Sequence, residues 1–532
     1  MILMRCRRKG LCSHSHIAHD LGRLQSLRNV FPPPLTTMLR RSLLANYAGQ
    51  IATVALGIVM VPAYVRYLGV EAYGLIALNA ALQAWVQILD LGLSPTLCRE
   101  LARAQDEVSR KEASVLLQSL EKFVAAMCTL LFVLSLLVAP FFAKDWLHAA
   151  GLPAHEIEIA FVLMVLTASS RWLSSVYRAG MVGIDRQATL NGVVVGFAVI
   201  RAALVVPVIA RWPQIDVFFL WQLGAIAGES LVMRLLLARV IKAPLLTRTF
   251  SRAALSARAR LSLSIAFSAL VWATTTQIDK VILSKVLSLQ AFGVFSMATL
   301  LASGILLLAN PVQQAFIPRF AANGVGDSRN IIPSYLLASE ITTIVVIPAA
   351  MIFAIAPDLV LRLWSASAPS TPEAWRVLQC YAIGNACSAI AELAFLVQCA
   401  QGNLSLQIKG NVAFLVILVP AVFLGSLNNG AVGVAYAWLA LGLFRVLVWV
   451  SIVHRKFLPG INMRWYRDMV ARTVATGLAG FAFHYTTLLR ASRTQIFVFL
   501  LLMWLSMMVA AVAVSPISQR KARSLAGRLV FN

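Results

Sequence analysis

About fourteen apolar stretches, each near the twenty residues that a bilayer-spanning helix needs, follow one another along this chain with little between them. They fall at roughly 43–65, 73–97, 116–143, 157–178, 188–210, 216–238, 260–284, 290–317, 331–356, 376–400, 404–426, 431–453, 468–488 and 494–515. The longest connection is about 20 residues, too short for a soluble domain that could hold an active site. The expected fold class is therefore all-α integral membrane, with about 14 transmembrane helices. Composition points the same way. The chain is 60% hydrophobic and 13% charged, whereas an ordinary soluble domain carries about 25% charged residues.

The formal net charge of +25 would also suit a nucleic-acid partner, but such charges gather in patches or motifs. Here they fall mainly between the apolar runs, so no nucleic acid is expected. Cytoplasmic connections collect Lys and Arg. With fourteen spans, the connections on the side of the N-terminal tail hold about 22 Lys and Arg, and those on the other side about 7. A missed or invented span would blur this contrast downstream, so both termini are expected in the cytoplasm. Residues 1–41 carry Arg5, Arg7, Arg8, Lys9, Arg23, Arg28, Arg40 and Arg41 without a long apolar core. They read as a basic cytoplasmic tail rather than a cleavable signal peptide, with Met38 the expected natural start. Residues 516–532 read as a second basic tail.

The chain also repeats itself. Tyr67-Leu68-Gly69-Val70-Glu71-Ala72-Tyr73-Gly74-Leu75 opens the second run, and Val286-Leu287-Ser288-Leu289-Gln290-Ala291-Phe292-Gly293-Val294 opens the eighth in the same style. Tyr73 and Phe292 are 219 residues and six spans apart. An even number of spans keeps the orientation, so the repeats are parallel, about an axis along the membrane normal. The expected organisation is two parallel six-helix lobes, 42–238 and 258–455, and a C-terminal helix pair within 466–515.

Polar groups facing lipid are costly, so polar stripes on spans should face protein or water. The first run carries Asn46, Gln50 and Thr53 at helical spacing, and the second Asn79, Gln83, Gln87 and Asp90. The seventh carries Ser264, Ser268, Thr275 and Asp279, and the eighth Ser296, Thr299, Ser303, Asn310 and Gln314. Small polar residues can simply hold helices together. The amides and Asp90 fit better with a wet central cavity between the lobes.

Ionisable residues at membrane depth are functional candidates. Here they are Arg171, Arg201, Glu229, Asp279, Lys280, Glu340, Glu392, Lys409 and Arg445. Glu392 and Lys409 come at similar depth on successive spans, as a structural ion pair or as gating and coupling groups. Lys122, Arg234 and Arg472 stand near span ends, where long side chains snorkel to the interface. The cationic excess of Arg171, Arg201 and Arg445 fits an anionic head group such as a pyrophosphate. Arg171, Arg201, Arg445, Lys280, Asn46, Gln50, Gln83, Gln87 and Asn310 are thus candidate cavity residues. Asp90, Arg99, Glu229, Asp279, Glu340, Glu392 and Lys409 are candidates for gating or ion coupling. No Walker loop, HExxH motif or paired-Cys spacing is present. No cofactor and no metal is expected, and no enzyme activity.

Asn46-Tyr47, Pro62-x-Tyr64-Val65-Arg66-Tyr67-Leu68-Gly69-x-Glu71-Ala72-Tyr73-Gly74, and Leu89-Asp90-Leu91-Gly92-Leu93-Ser94 followed by Cys98-Arg99-Glu100 resemble the polysaccharide-export flippases. These are O-antigen-type translocases of the multidrug/oligosaccharidyl-lipid/polysaccharide (MOP) exporter superfamily. The resembling stretch covers about 60 residues of the first lobe, and Gln277-Ile278-Asp279-Lys280 adds to it. The resemblance implies a MATE-like fold and alternating access. It also implies transport of an undecaprenyl-pyrophosphate-linked oligosaccharide across the bacterial inner membrane for surface polysaccharide such as lipopolysaccharide. Bilayer lipids and a glycan polymerase complex are the implied partners. An ion-coupled multidrug exporter and a peptidoglycan-precursor flippase of the same superfamily are the alternatives, with a membrane glycosyltransferase or polymerase behind them. Gly69, Gly74, Pro62 and Pro95 bracket the first two spans, either as hinges of a rocking motion or as ordinary turn residues.

Overall fold

The structure is a computed structural model that describes residues 33–104, 106–241, 259–323, 331–365, 370–403, 405–483 and 492–515. The first lobe begins with α1 (Pro33–Leu68) and α2 (Val70–Val86), then α3 (Leu93–Arg103), α4 (Glu107–Phe141) and α5 (Ala154–Gly183). It closes with α6 (Gln187–Ala202), α7 (Val205–Arg211) and α8 (Ile215–Ile241). The second lobe holds α9 (Ala259–Val286), α10 (Leu289–Asn323), α11 (Ile332–Ile355), α12 (Pro357–Trp364) and α13 (Pro372–Ala400). It continues through α14 (Ser405–Phe444) to α15 (Val450–Phe457), and α16 (Asn462–Phe481) and α17 (Arg493–Ala513) form the appended pair. No strand occurs among the described residues. Large apolar side chains point outward on the outer helices, among them Leu137 at 72%, Val509 at 69% and Val416 at 66% exposure. Water would not tolerate such a surface, and lipid does. The protein is a multi-pass membrane protein.

Within the described residues, which leave out 404 and 484–488, every expected run falls on helix; the fifth is split between α6 and α7 at Ala203 and Leu204, and two other places differ. The second run breaks at residues 87–92, where a 3₁₀ turn (Gln87–Asp90) leads into left-handed Leu91 and Gly92 before α3 restarts. The eleventh and twelfth runs are joined without a loop. Asn429 and Gly430 alone make the bend inside α14, and Gly425 and Gly433 bring its two halves into backbone contact. By length and composition, nine helices among the described residues suffice to cross a membrane. One of the nine is the joined Ser405–Phe457 segment.

Within the first lobe α5 packs on α2, α3, α4 and α8, and α6 packs on α1. Within the second, α13 is central and touches α10, α11 and α14. The appended pair rests on α11. The lobes meet where α2 crosses α9 and α10. This junction is tightest at the end of the bundle where α2 and α10 begin, called the far end below. There Gly74 lies against Leu289, and Gly293 lies against the backbone of Val70. Val70 and Leu289 are themselves 219 residues apart, as are Gly74 and Gly293. The repeat seen in the sequence therefore becomes a pair of equivalent contacts across a pseudo-twofold axis.

A loop of the first lobe closes over this junction. Leu289 N donates to His148 O at 2.8 Å, and Trp146 Nε1 donates to Ser284 Oγ at 3.1 Å. Lys285 donates to the Asp145 carbonyl and sits over the Trp146 ring. Glu71 holds the loop in place by accepting from Ala150 N at 3.1 Å and Gly151 N at 2.9 Å.

Candidate functional site

Three adjoining cavities line the space at and beside the lobe junction. The largest, about 570 Å³, is walled by α1, α2 and α8 on one side and α9, α10, α13 and α14 on the other. Asn79, Gln83 and Gln222 of the first lobe face Gln277, Asp279, Lys280 and Asn385 of the second. Several hydroxyls here are satisfied by their own helices, as with Thr299 to Ser296 O and Ser303 to Leu300 O, whereas Ser296 Oγ has no partner among the described residues. The amides and the Ser296 hydroxyl are thus the groups left to meet a ligand.

Aromatic rings complete this cavity. Tyr381 stacks on Trp438 with centroids 5.5 Å apart and planes 10° from parallel. Both are fixed by hydrogen bonds: Tyr381 Oη donates to Asp279 Oδ2 at 2.7 Å, and Trp438 Nε1 donates to Asn385 Oδ1 at 3.0 Å. Gly384 packs against Trp438, where a Cβ would come within 2.7 Å of the ring. Lys280 Nζ donates to Gln277 Oε1 at 3.1 Å and lies 3.9 Å from Asp279, so its charge is largely compensated. Flat apolar faces beside amides suit a sugar, whose rings have apolar faces and hydroxyl edges.

The second cavity, about 310 Å³, lies further along α1 and α10. Thr53 of α1, Arg178 of α5, Asn191 of α6, and Asn310 and Gln314 of α10 line it. Arg178 is one of three guanidinium groups around the fully buried carboxylate of Glu229. Its Nε donates to Glu229 Oε1 at 3.1 Å, and its Nη2 also donates there. Arg201 donates to the other carboxylate oxygen, and Arg171 Nη1 lies 3.8 Å from it. Three positive groups against one negative leave the cluster cationic. Of the three side chains Arg201 is 9% exposed, while Arg171 and Arg178 keep 31% and 29%.

The third cavity, about 520 Å³, penetrates the second lobe and touches the other two at Asn310, Asn385 and Trp438. Glu392 and Arg445 both line it, with Gln313, Gln407 and Asn411. Arg445 lies over the Phe414 ring at 5.1 Å and reaches Ser388 Oγ at 3.4 Å.

A sequence profile described as "Polysaccharide biosynthesis protein" matches residues 39–323, more than half of the chain. The chain belongs to this polysaccharide biosynthesis protein family. Its fold is similar to that of the lipid II flippase MurJ in an inward closed conformation, with a TM-score of 0.68 and 13% identity, covering 88% of this chain and 98% of that one. The MATE multidrug transporter DinF-BH gives 0.54 at 15% identity, covering 79% and 95%. The Vibrio cholerae MATE transporter VcmN gives 0.52 at 13% identity, covering 81% and 99%. At such identities the likeness concerns the fold, which is MATE-like. No curated protein sequence matches significantly.

In this polysaccharide biosynthesis protein the expected site residues separate into groups. Gln83, Asp279 and Lys280 line the central cavity, and Asn310 borders the other two. Arg445 and Glu392 lie together in the second lobe. Arg171, Arg201 and Glu229 form an interior cluster of the first lobe that reaches the inter-lobe space through Arg178. Asn46 and Gln50 stand on α1, but their side chains lie outside the described residues.

Several expectations need correction. Asp90 caps the restart of α3, accepting from Ser94 N at 3.0 Å, Ser94 Oγ at 2.6 Å and Trp172 Nε1 at 3.2 Å. Its carboxylate is committed to holding a helix break. Gln87 donates to Ser175 Oγ at 3.0 Å within the same lobe, and Arg99 is exposed on α3 away from these cavities. Lys409 is exposed on α14, and among the described residues it makes no ion pair with Glu392. Glu340 lies between α11 and α16, away from the lobe junction. Arg234 is buried and paired with Glu121 at 2.5 Å, and Arg472 is 3% exposed, so neither extends to the interface.

Arg178, Tyr381, Trp438, Asn385 and Gln222 were missed as candidates. Arg178 follows Arg171 by seven residues on one helical face, which was a readable signal. It was instead counted among the connections, because the apolar run ends there.

Proposed function

We propose that this protein is a flippase that carries an undecaprenyl-pyrophosphate-linked oligosaccharide across the bacterial inner membrane by alternating access. In this reading the chain has fourteen spans with both termini in the cytoplasm, and the far end of the bundle faces the periplasm. The oligosaccharide would lie against Tyr381, Trp438 and the amides of the central cavity. The pyrophosphate would lie beside Arg178, where the cationic cluster reaches the inter-lobe space. The lipid tail would stay in the bilayer, and the delivered unit would pass to a glycan polymerase.

The observation that carries this reading is the division of the inter-lobe space into two chemically different parts along α1 and α10. The eleven residues from Thr53 to Tyr64 rise by about 17 Å of helix. A charged group could therefore sit at one level and several sugar units at the other. Arg201 and Arg171 would act on the anion through the net charge of the cluster, since their guanidinium groups face Glu229. The zipped far end is the arrangement a cytoplasm-facing state would need. Lys280 and Asp279, being paired, would serve hydrogen bonding more than charge.

The test is deletion in the native host followed by analysis of lipid-linked glycans. Accumulation of an undecaprenyl-linked unit, with loss of surface polysaccharide, is the expected result. Arg178→Ala should reproduce much of that defect at unchanged protein level. Unchanged glycan with altered drug tolerance would overturn the reading in favour of a multidrug exporter.

A further inference from the structure

The third cavity lies inside the second lobe, and its two charged side chains do not pair. Glu392 of α13 and Arg445, just past α14, both line it. Among the described residues Glu392 makes no hydrogen bond and no ion pair. Arg445 has one long hydrogen bond, from Nη1 to Ser388 Oγ at 3.4 Å, and its buried Nε has no partner. Asn411 of α14 adds a third open group. Its carbonyl accepts from Gln407 Nε2 at 3.0 Å, while its NH₂ makes no hydrogen bond among the described residues. Open charges within a membrane-spanning lobe are costly unless something meets them.

The walls are fixed in place. Arg445 begins and Trp449 ends a π-helical turn between α14 and α15, and both line the cavity. Such turns are rare and occur frequently at functional sites. The Trp449 ring meets the Phe414 ring edge-on at 5.3 Å, and Gly410 packs so closely on it that a Cβ would have no room. Gln398 Nε2 of α13 donates to Gln407 Oε1 of α14 at 3.1 Å, which continues the chain to Asn411. The cavity also has a direction. It shares Thr276, Leu306, Asn385 and Trp438 with the central cavity, but only Asn310 with the second. Whatever enters it therefore comes mainly from the central cavity.

A carboxylate takes only donors and a guanidinium only acceptors, whereas a hydroxyl can serve either. An anion would meet Glu392, and a cation would meet Arg445. A neutral polyhydroxyl ligand satisfies both, and the rings of Trp449, Phe414 and Trp438 offer apolar faces beside them. We propose that the third cavity is a side pocket for neutral sugar units of the transported oligosaccharide, beyond the sugar that carries the pyrophosphate. Glu392 accepts from hydroxyls, and Arg445 and Asn411 donate to hydroxyl or acetamido oxygens. The inference rests on the flippase reading and adds to it that the second lobe selects the cargo by its outer sugars.

The test is native mass spectrometry of the purified full-length protein with the host's undecaprenyl-pyrophosphate-linked oligosaccharide, either complete or trimmed to its first sugar. The wild type should retain the complete unit in preference to the trimmed one. Glu392→Ala should shrink that preference by about tenfold, the loss of one charge-assisted contact. Arg445→Gln should act in the same direction. Both variants should hold the trimmed unit as the wild type does, which also shows that they fold. An unchanged preference in both variants would overturn the proposal and leave the pocket to water. Equal weakening of both ligands would overturn it in favour of a structural or ion-coupling role for Glu392 and Arg445. If the wild type retains neither unit, the flippase reading itself fails and takes this inference with it, a result distinct from a loss confined to the variants.

Discussion

Gly74 and Gly293 make the far-end junction possible, and enlarging either should open it. A Cβ on Gly74 would stand 2.8 Å from both the Leu289 carbonyl oxygen and its Cδ1, whereas ordinary contact begins at 3.4 Å. The leucine methyl can turn away, but the carbonyl belongs to the start of α10 and cannot. An alanine at position 74 therefore separates the helices by about 0.6 Å or leaves them overpacked, at a cost of about 1–3 kcal/mol. The penalty exists only while the junction is closed, so the closed population should fall by about 5- to 150-fold relative to the open one. The closed state can be read with Trp146→Cys and Ser284→Cys in a chain without other cysteines, joined by a short bis-methanethiosulfonate, which forms a disulfide with each thiol and releases methanesulfinate. Those two side chains hydrogen-bond across the lobes at 3.1 Å. Gly74→Ala should slow their crosslinking at least fivefold, and Gly293→Ala should act in the same direction through the Val70 backbone. Undiminished crosslinking in both variants would refute the argument that these glycines set the closed distance.

Three further outcomes follow from the polar interior. Glu229→Gln leaves three guanidinium groups without their carboxylate and should destabilise the protein by about 3–5 kcal/mol, read by denaturant unfolding in detergent. Asp90→Ala removes the cap of α3 and leaves Trp172 Nε1 unpaired, so unfolding should be easier by about 2–4 kcal/mol; a loss below 0.5 kcal/mol, the low end for a single cap, would show that the helix break holds itself. Tyr381→Phe frees a buried oxygen of Asp279 and should cost about 1–3 kcal/mol. It should also lower transport, because the ring is no longer held flat beside Trp438.

The helical architecture was legible because apolar runs and the Lys and Arg between them record the bilayer directly. The repeat was legible as well, and its glycines proved to be the residues at which the lobes touch. The Leu89–Ser94 motif was visible, but its role was not. A carboxylate that caps a restarted helix and one that binds an ion look alike in a stripe. Charge at membrane depth misled in a similar way. Lys409 points outward and Glu340 faces the appended pair, and only packing distinguishes them from Arg445, which faces a cavity. Tyr381 and Trp438 were passed over because an aromatic residue on a span reads the same whether it faces lipid or a cavity. Arg178 was hidden by a boundary, since the apolar run stops where the helix does not.

The pairing of Val70 with Gly293 and of Leu289 with Gly74 has a consequence for how the seam would part. The two contacts are images of one another, so any rocking that treats the lobes alike loosens both by the same amount at the same moment. Neither can act as a hinge while the other peels away. Half-open intermediates would lose one contact without relieving the strain on its twin, which makes them the costliest arrangement. Opening at this end would therefore be a single cooperative event, with its steepness set by Gly74 and Gly293.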